Sequence, residues 1–249
     1  MCAFAPPEAH IHQGTEEKDG SMETPRRTFL VRTSTALIAS GLAQPFAALA
    51  VQNKTAKTKE QEEDVSTNED LMREHGVLNR ILLIYEEARR RVQGKEKLDL
   101  DVISKSASLI KRFIEDYHEK LEEDYLFPRF EKSGKLVDLV KTLRSQHTAG
   151  RTVTDRILAS VKVKDLESMQ TSLAAFVRMY RPHEAREDTV LFPALHEIVS
   201  KHEYDALGEQ FERIERKTFG GDGFDMAVDQ VTGLEKQLAI HDLAQFTPQ

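Results

Sequence analysis

The sequence lacks the residues that several common protein chemistries require. Its 249 residues include one cysteine, Cys2, and no tryptophan. A single cysteine excludes an internal disulfide and any metal site built from several thiolates. Chemistry in this chain must therefore come from histidines and carboxylates.

Glycine and proline are also few, at 12 and 8 residues, whereas charged side chains make up 31% of the chain. This balance favours a helix-rich protein over a β-sandwich or a disordered chain. The formal net charge of −7 argues against a nucleic-acid partner, because a surface that binds phosphates usually carries basic excess. There is no glycine-rich phosphate loop; residues 220–223, Gly-Gly-Asp-Gly, are typical of a turn between helices.

The first 50 residues have the features of an export signal. The string RRTFL at residues 26–30 resembles the core of a twin-arginine signal, and the apolar stretch after it ends in Ala-Leu-Ala at residues 48–50. We therefore expect cleavage after Ala50 and export to the periplasm, with a possible true start at Met22. A membrane anchor is the alternative, but the apolar stretch is shorter than the roughly 20 residues that a span needs. The mature chain should thus have no transmembrane anchor.

Helical patterns follow the signal. Residues 51–65 are polar and aperiodic and predict a flexible linker. The capping-box pattern at residues 66–69 predicts a helix start, and apolar residues at helical spacing predict four helices over residues 66–195. The second helix is expected to end at Pro128 and the fourth before Pro193. Residues 196–249 form a predicted helical extension, with amphipathic segments near 203–217 and 224–240, that packs on the four helices or on a partner.

Each of the four predicted helices carries one histidine in its apolar stripe: His75, His118, His147 and His183. A single histidine on an apolar face is most often a hydrogen-bonded core residue. Four buried imidazoles without a ligand would leave polar nitrogens unpaired, at about 1–3 kcal/mol each. A bound metal ion removes that cost.

An internal repeat supports the same interpretation. Residues 118–128 and 183–193 agree in place at one His, two Glu, one Leu, one Phe and one Pro. In both copies the His and the second Glu are four residues apart, on the same face of a helix; these pairs are His118 with Glu122 and His183 with Glu187. The repeat predicts two helical hairpins of one pattern, packed face to face.

One histidine followed by His-x-x-x-Glu, repeated once, resembles the hemerythrin-like (HHE cation-binding) domains over roughly residues 66–195. The resemblance implies an all-α fold, an up-down-up-down four-helix bundle, here with additional C-terminal helices. It further implies a non-haem di-iron centre bridged by two carboxylates. The implied roles are Glu122 and Glu187 as bridges, His75 and His118 on one iron, and His147 and His183 on the other.

The sequence departs from the oxygen-carrying hemerythrins at one position. Those proteins have a further histidine one turn after the third, where this chain has Arg151. Glu119 and Glu184, next to ligand histidines, are possible additional ligands; the alternative for both is a solvent-facing acid. Imidazoles and carboxylates without thiolate suit iron first and manganese second, and disfavour structural zinc.

Two other metal chemistries fit poorly. Ferritin-like di-iron proteins need paired Glu-x-x-His motifs, and only Glu115 with His118 matches. A zinc protease needs His-Glu-x-x-His, which the sequence does not contain.

Open coordination positions beside bridging carboxylates would let iron meet O2, peroxide or nitric oxide. The favoured function is therefore reversible binding, storage or sensing of O2 or a related small oxidant. The alternatives are a di-iron oxidase or peroxidase, a nitric-oxide or iron-handling repair protein, and an iron reservoir or sensor with an unidentified protein partner. Binding is favoured over enzymatic turnover.

Overall fold

The structure, a computed structural model, describes residues 65–248. The predicted export signal, and all of the predicted linker except Val65, lie outside the described residues. Within that range the chain forms six long helices, one short 3-10 helix and no strand, so the predicted all-α fold class is confirmed. No helix in the same range is long and apolar enough to cross a membrane.

The first hairpin of the bundle consists of α1 (Thr67–Gln93) and a second bundle helix over residues 100–133. At the start of α1 the Ser66 hydroxyl accepts a hydrogen bond from the Glu69 backbone N–H at 3.3 Å, as the capping-box pattern predicts. The second bundle helix is continuous but changes its winding along its length. Its parts are α2 (Leu100–Leu109), a π-helix (Ile110–His118), α3 (Glu119–Leu121), a π-turn (Glu122–Leu126) and α4 (Phe127–Ser133).

The second hairpin repeats this plan. It consists of α5 (Val137–Val163) and a fourth bundle helix over residues 166–198. The fourth helix is divided into α6 (Leu166–Arg186), a π-turn (Glu187–Leu191) and α7 (Phe192–Ile198). Each bundle helix packs against its two neighbours in the bundle, and the second and fourth helices also meet through α4 and α7. Short connections join the helices in sequence, which gives the up-down-up-down arrangement.

The two π-turns correct one expectation. Each begins at the second glutamate of a repeat copy, and the helix then continues through the proline to Ser133 or Ile198. The prediction that these helices end at Pro128 and before Pro193 is therefore wrong. Each proline stands in the first positions after a π-turn, where the α-helical pattern restarts and a missing N–H costs little.

The C-terminal residues form a further hairpin on the outside of the bundle. It consists of α8 (Lys201–Phe219) and α9 (Gly223–Gln237), and a short 3-10 helix (Leu243–Phe246) follows. The hairpin packs on α1 and α2. Leu207, Phe211 and Val231 are almost fully buried in the same core as the bundle residues. The C-terminal segment is thus part of one folded body with the bundle.

Arg80 on α1 fastens α9 to the bundle. Its guanidinium donates hydrogen bonds to both carboxylate oxygens of Glu235, at 2.9 and 2.6 Å, and to the Thr232 hydroxyl at 2.7 Å. Because Glu235 is nearly buried, Arg80→Ala should leave an uncompensated charge and lower the free energy of unfolding by about 1–3 kcal/mol. Urea denaturation checks this. Arg213→Ala, which removes an exposed ion pair on α8, should leave the midpoint unchanged.

Candidate metal centre

The four predicted histidines meet in the interior of the bundle as two pairs. In the first pair, His75 and His118, the two Nε2 atoms are 3.0 Å apart. In the second pair, His147 and His183, they are 3.3 Å apart. All four side chains are at most 4% exposed. The helical periodicity therefore placed these residues on the correct faces.

The other ring nitrogen of each histidine has a hydrogen-bond acceptor. His75 Nδ1 faces Asp188 Oδ1 at 2.7 Å, and His118 Nδ1 faces Glu74 Oε2 at 2.7 Å. In the second pair, Nδ1 of His147 and Nδ1 of His183 lie 3.1 Å and 2.9 Å from oxygens of Glu123 and Gln146, respectively. An Nδ1–H that donates to such an oxygen leaves the Nε2 lone pair free. When the rings are neutral, the Nε2 lone pairs of each pair therefore face each other.

Glu122 and Glu187 both reach from one pair to the other. The oxygens of Glu122 lie 3.8 Å from His118 Nε2 and 3.5 Å from His147 Nε2. Glu187 Oε2 lies 3.1 Å from His183 Nε2 and 3.5 Å from His75 Nε2. Each carboxylate can therefore serve both histidine pairs.

The electrostatics of this space favour a cation. Both glutamates are fully buried, and none of their four carboxylate oxygens has a hydrogen-bond partner. Burial together with the charge of Glu187 raises the pKa of Glu122 well above its usual value, and burial raises the pKa of Glu187 to about 8. Unpaired oxygens and facing imidazole nitrogens in a buried space form a donor set that fits a metal ion. Two groups with such a donor set are present: His75, His118 and Glu122, and His147, His183 and Glu187.

The two hairpins supply contacts to each other. Asp188 and Phe192 of the second hairpin hold His75, the former by its carboxylate and the latter by stacking at 5.5 Å between ring centroids. Glu123 and Phe127 of the first hairpin hold His147 in the same way, again with 5.5 Å between centroids. The acid and the phenylalanine of each repeat copy thus position the histidine of the opposite hairpin that lies outside the repeat, His75 or His147.

The two possible additional ligands have other partners. Glu119 accepts hydrogen bonds from the Tyr180 hydroxyl at 2.7 Å and pairs with Arg151 at 2.8 Å. Glu184 accepts a hydrogen bond from the side-chain amide of Asn79. Both glutamates are buried, so neither is the solvent-facing acid of the alternative interpretation. A third group with metal-ligand spacing is formed by Glu119, Glu123 and His147, where the Arg151 guanidinium pairs with both carboxylates.

The sequence interpretation missed the residues that orient the histidines. The repeat could have identified Asp188, Glu123 and the two phenylalanines. Each copy has an acid directly after its second Glu and a Phe five residues after that Glu. Glu74 and Gln146 directly precede the lone histidines of α1 and α5. These two positions are harder to identify from the sequence, because one residue is charged and the other is neutral and the repeat is therefore not visible there.

Gly150 on α5 makes room for the Tyr180 hydroxyl. A Cβ at this position would lie 2.0 Å from Tyr180 Oη and 2.8 Å from Cζ. Gly150→Ala should therefore lower the free energy of unfolding by about 1–3 kcal/mol, because α5 and α6 must separate or the phenol must leave Glu119. A double-mutant cycle with Tyr180→Phe, followed by urea denaturation, measures this contact. The cost of the alanine should be smaller in the phenylalanine background, and equal costs in both backgrounds would contradict the contact.

The buried acids predict a stability that depends on pH in the metal-depleted protein. Burial raises the pKa of Glu119 and of Glu187 to about 8 and that of Glu184 to about 9. Burial lowers the pKa of His118, but Glu122 and Glu74 more than offset this and raise it to about 9. A group with a raised pKa binds more protons in the folded state, so the stability it contributes is lost as pH rises through the folded-state value.

The remaining histidines affect the stability only in a lower pH range. Burial lowers the pKa of His75 and His147 to about 4 and that of His183 to about 3, so their effect is confined to pH values below about 6.5. With metal chelated, the free energy of unfolding should therefore fall between about pH 6.5 and 9. Urea denaturation at four pH values checks this, and Glu184→Gln should reduce the slope. A flat or rising profile would contradict the assignment.

Comparison with known proteins agrees with this geometry. The hemerythrin HHE cation binding domain matches residues 66–195. Uncharacterized proteins of Mycobacterium bovis and Mycobacterium tuberculosis are 49% identical over 197 residues, which cover 77% of this chain and 77% of each relative. No solved structure matches the chain. On the match over residues 66–195, the chain belongs to the family of hemerythrin HHE cation binding domain proteins.

Proposed function

We propose that the chain holds two iron ions, one at each histidine pair, with Glu122 and Glu187 shared between them. The observation that carries this proposal is the convergence of four imidazole Nε2 atoms and four unpaired carboxylate oxygens in a buried space. The absence of thiolate among these donors favours iron, with manganese as the second choice.

The surrounding residues hold the donors in place. Hydrogen bonds at Nδ1 fix the tautomer and the orientation of each ring, and Phe127 and Phe192 stack on two of the rings. The six donor side chains are at most 4% exposed. Such a centre admits only a small molecule. Bound iron would supply a redox-active position for O2, peroxide or nitric oxide.

The function we infer is therefore the binding of O2 or a related small oxidant, for reversible transport, storage or sensing. Metal analysis and an ultraviolet–visible spectrum of the purified protein, before and after exposure to air, test this directly. About two irons per chain with oxo-bridge charge-transfer bands would support the proposal. A protein without metal after anaerobic reconstitution with ferrous iron would refute it.

A second candidate is a di-iron oxidase or peroxidase, and the pair of Tyr180 and Glu119 favours it. The Tyr180 hydroxyl donates to Glu119, and the Tyr180 ring contacts His183 edge-on with 5.4 Å between centroids. A carboxyl group whose pKa burial raises to about 8 can hold a proton beside the centre, and the reduction of peroxide consumes protons. Steady consumption of added peroxide with a reductant would favour this candidate over reversible binding. The related activity of nitric-oxide or iron-handling repair is tested by adding nitric oxide in place of peroxide.

Export is a separate proposal that rests on the twin arginine at residues 26–27 and the Ala-Leu-Ala end at 48–50. The mature protein should be found in the periplasm with Val51 at its N-terminus. N-terminal sequencing of the exported protein tests this. Replacement of both arginines by lysine should retain the protein in the cytoplasm, and unchanged export of that variant would contradict the proposal.

A further inference from the structure

The two histidine pairs differ in one matched contact within their own hairpins. His118 Nδ1 donates to the carboxylate of Glu74, whereas His183 Nδ1 faces the amide oxygen of Gln146. Glu74 and Gln146 occupy equivalent positions, directly before His75 and His147. Glu74 is completely buried, and its second oxygen has no hydrogen-bond partner. Glu74 therefore places a buried carboxylate directly behind a histidine of the first pair, and the matching position behind the second pair holds a neutral amide.

The remaining charges increase this difference. Around the first pair, Asp188 holds His75 and Glu184 bonds to the neutral side chain of Asn79. Around the second pair, Glu123 holds His147 and Glu119 bonds to Tyr180. Apart from Glu74, each pair has two such carboxylates, and the buried Glu115 adds a third acid near Glu119 and Arg151 on the second side.

In the described part of the chain, the Lys and Arg side chains that form ion pairs with these four carboxylates lie on the second side, and Arg181 acts on Glu184 only at longer range. Arg151 pairs with both Glu119 and Glu123 at 2.8 Å, and Lys120 pairs with Glu123 at 2.6 Å. Arg151 stands one turn after His147, and the matching position one turn after His75 is Asn79. The first pair thus has the additional carboxylate of Glu74, and its other acids lack the ion pairs that Arg151 and Lys120 form with the acids of the second pair.

We propose that the two positions bind cations unequally, that the position at His75 and His118 fills first, and that Glu74 and Gln146 determine this order. The inference rests on the proposed two-cation centre and adds an order of loading to it. A carboxylate that accepts the Nδ1–H of a ligand histidine increases the electron density at Nε2, which strengthens the bond to a cation. Partners of this kind change metal affinity by about 10- to 100-fold.

The order can be measured without any assay of activity. The full chain is titrated anaerobically with Co(II), a divalent probe whose visible absorption reports imidazole and carboxylate coordination. The wild-type protein should bind two equivalents in two steps, with Kd values at least about 10-fold apart. Crystals grown with one equivalent should show an anomalous peak between His75 and His118.

Exchange of Glu74 and Gln146 tests whether these residues determine the order of loading. Glu74→Gln should weaken the first step, and Gln146→Glu should strengthen the second step, so that the two Kd values converge in either variant. The double variant Glu74→Gln/Gln146→Glu should restore two separate steps and move the single-equivalent anomalous peak to His147 and His183. Glu235→Gln makes the same carboxylate-to-amide change outside the centre and should leave both Kd values unchanged.

The outcomes separate the two proposals. Failure of the wild-type protein to bind any Co(II) or Fe(II) would overturn the two-cation centre itself. Binding of two equivalents with equal Kd values, or a peak that stays at His75 and His118 in the double variant, would overturn only the order of loading. If Glu74→Gln does not fold, the Gln146→Glu variant still decides, because an unchanged second Kd in that variant contradicts the inference.

Discussion

Glu187→Gln is expected to reduce the iron content from about two per chain to less than one, because it removes a carboxylate that serves both histidine pairs. Glu187 Oε2 lies 3.1 Å from His183 Nε2 and 3.5 Å from His75 Nε2. Removal of this carboxylate therefore takes a donor from both histidine pairs. An amide of the same shape keeps the volume but supplies no charge. Metal analysis after anaerobic reconstitution with ferrous iron measures the effect.

In the chelated, metal-free protein, Glu187→Gln should instead increase the free energy of unfolding. Burial raises the pKa of Glu187 to about 8, so its ionised form destabilises the metal-free fold at alkaline pH. Removing that charge should raise the free energy of unfolding at pH 8.5 by on the order of 2 kcal/mol. A ligand assignment thus predicts lower metal content together with higher stability of the chelated protein.

A matched control is available at Glu215, which is also buried and accepts a hydrogen bond from the Phe224 backbone N–H far along the chain from the centre. Glu215→Gln should leave the iron content unchanged. Full iron loading of Glu187→Gln would show that this residue is not a ligand, whatever its effect on stability.

Removal of iron from the wild-type protein is expected to lower the melting temperature by about 10 °C. A ligand present at 1,000 times its Kd stabilises the folded state by about 4 kcal/mol, and each kcal/mol shifts Tm by about 2–4 °C in a domain of this size. Differential scanning calorimetry of the iron-loaded and chelated proteins at pH 8 measures the shift. Tm should also rise with the concentration of free ferrous iron. Equal melting temperatures would mean that the buried histidines and glutamates are stable without a cation.

Much of the centre could be predicted from local sequence patterns. The apolar spacing placed His75, His118, His147 and His183 on the faces that meet inside the bundle. The spacing of four residues between His118 and Glu122, and between His183 and Glu187, then placed each carboxylate beside its histidine, because residues four apart lie on one helix face. The start of α1 also followed from local chemistry, since the Ser66 cap depends only on nearby residues.

Other features depend on contacts between distant parts of the chain. The π-turns at Glu122–Leu126 and Glu187–Leu191 widen the helices where the donors meet, and no local propensity of these residues predicts that change. Continuation of the helices through Pro128 and Pro193 depends on those turns. The contact between Glu119 and Tyr180 joins residues 61 positions apart and needs the glycine at position 150 on a third helix. Periodicity alone contains no information about such a contact.

The exchange of contacts between the two hairpins also fixes their register. Apolar helix faces can slide past each other by one turn, about 5.4 Å, with little loss of buried area. A slide of that size would separate His75 from Asp188 and Phe192, and His147 from Glu123 and Phe127. The contacts of the second hairpin to His75 and of the first hairpin to His147 therefore select one register along the bundle axis. A buried polar residue fixes the register of a coiled coil in the same way. The residues that position the donors thereby also determine which of several equally apolar packings the bundle adopts.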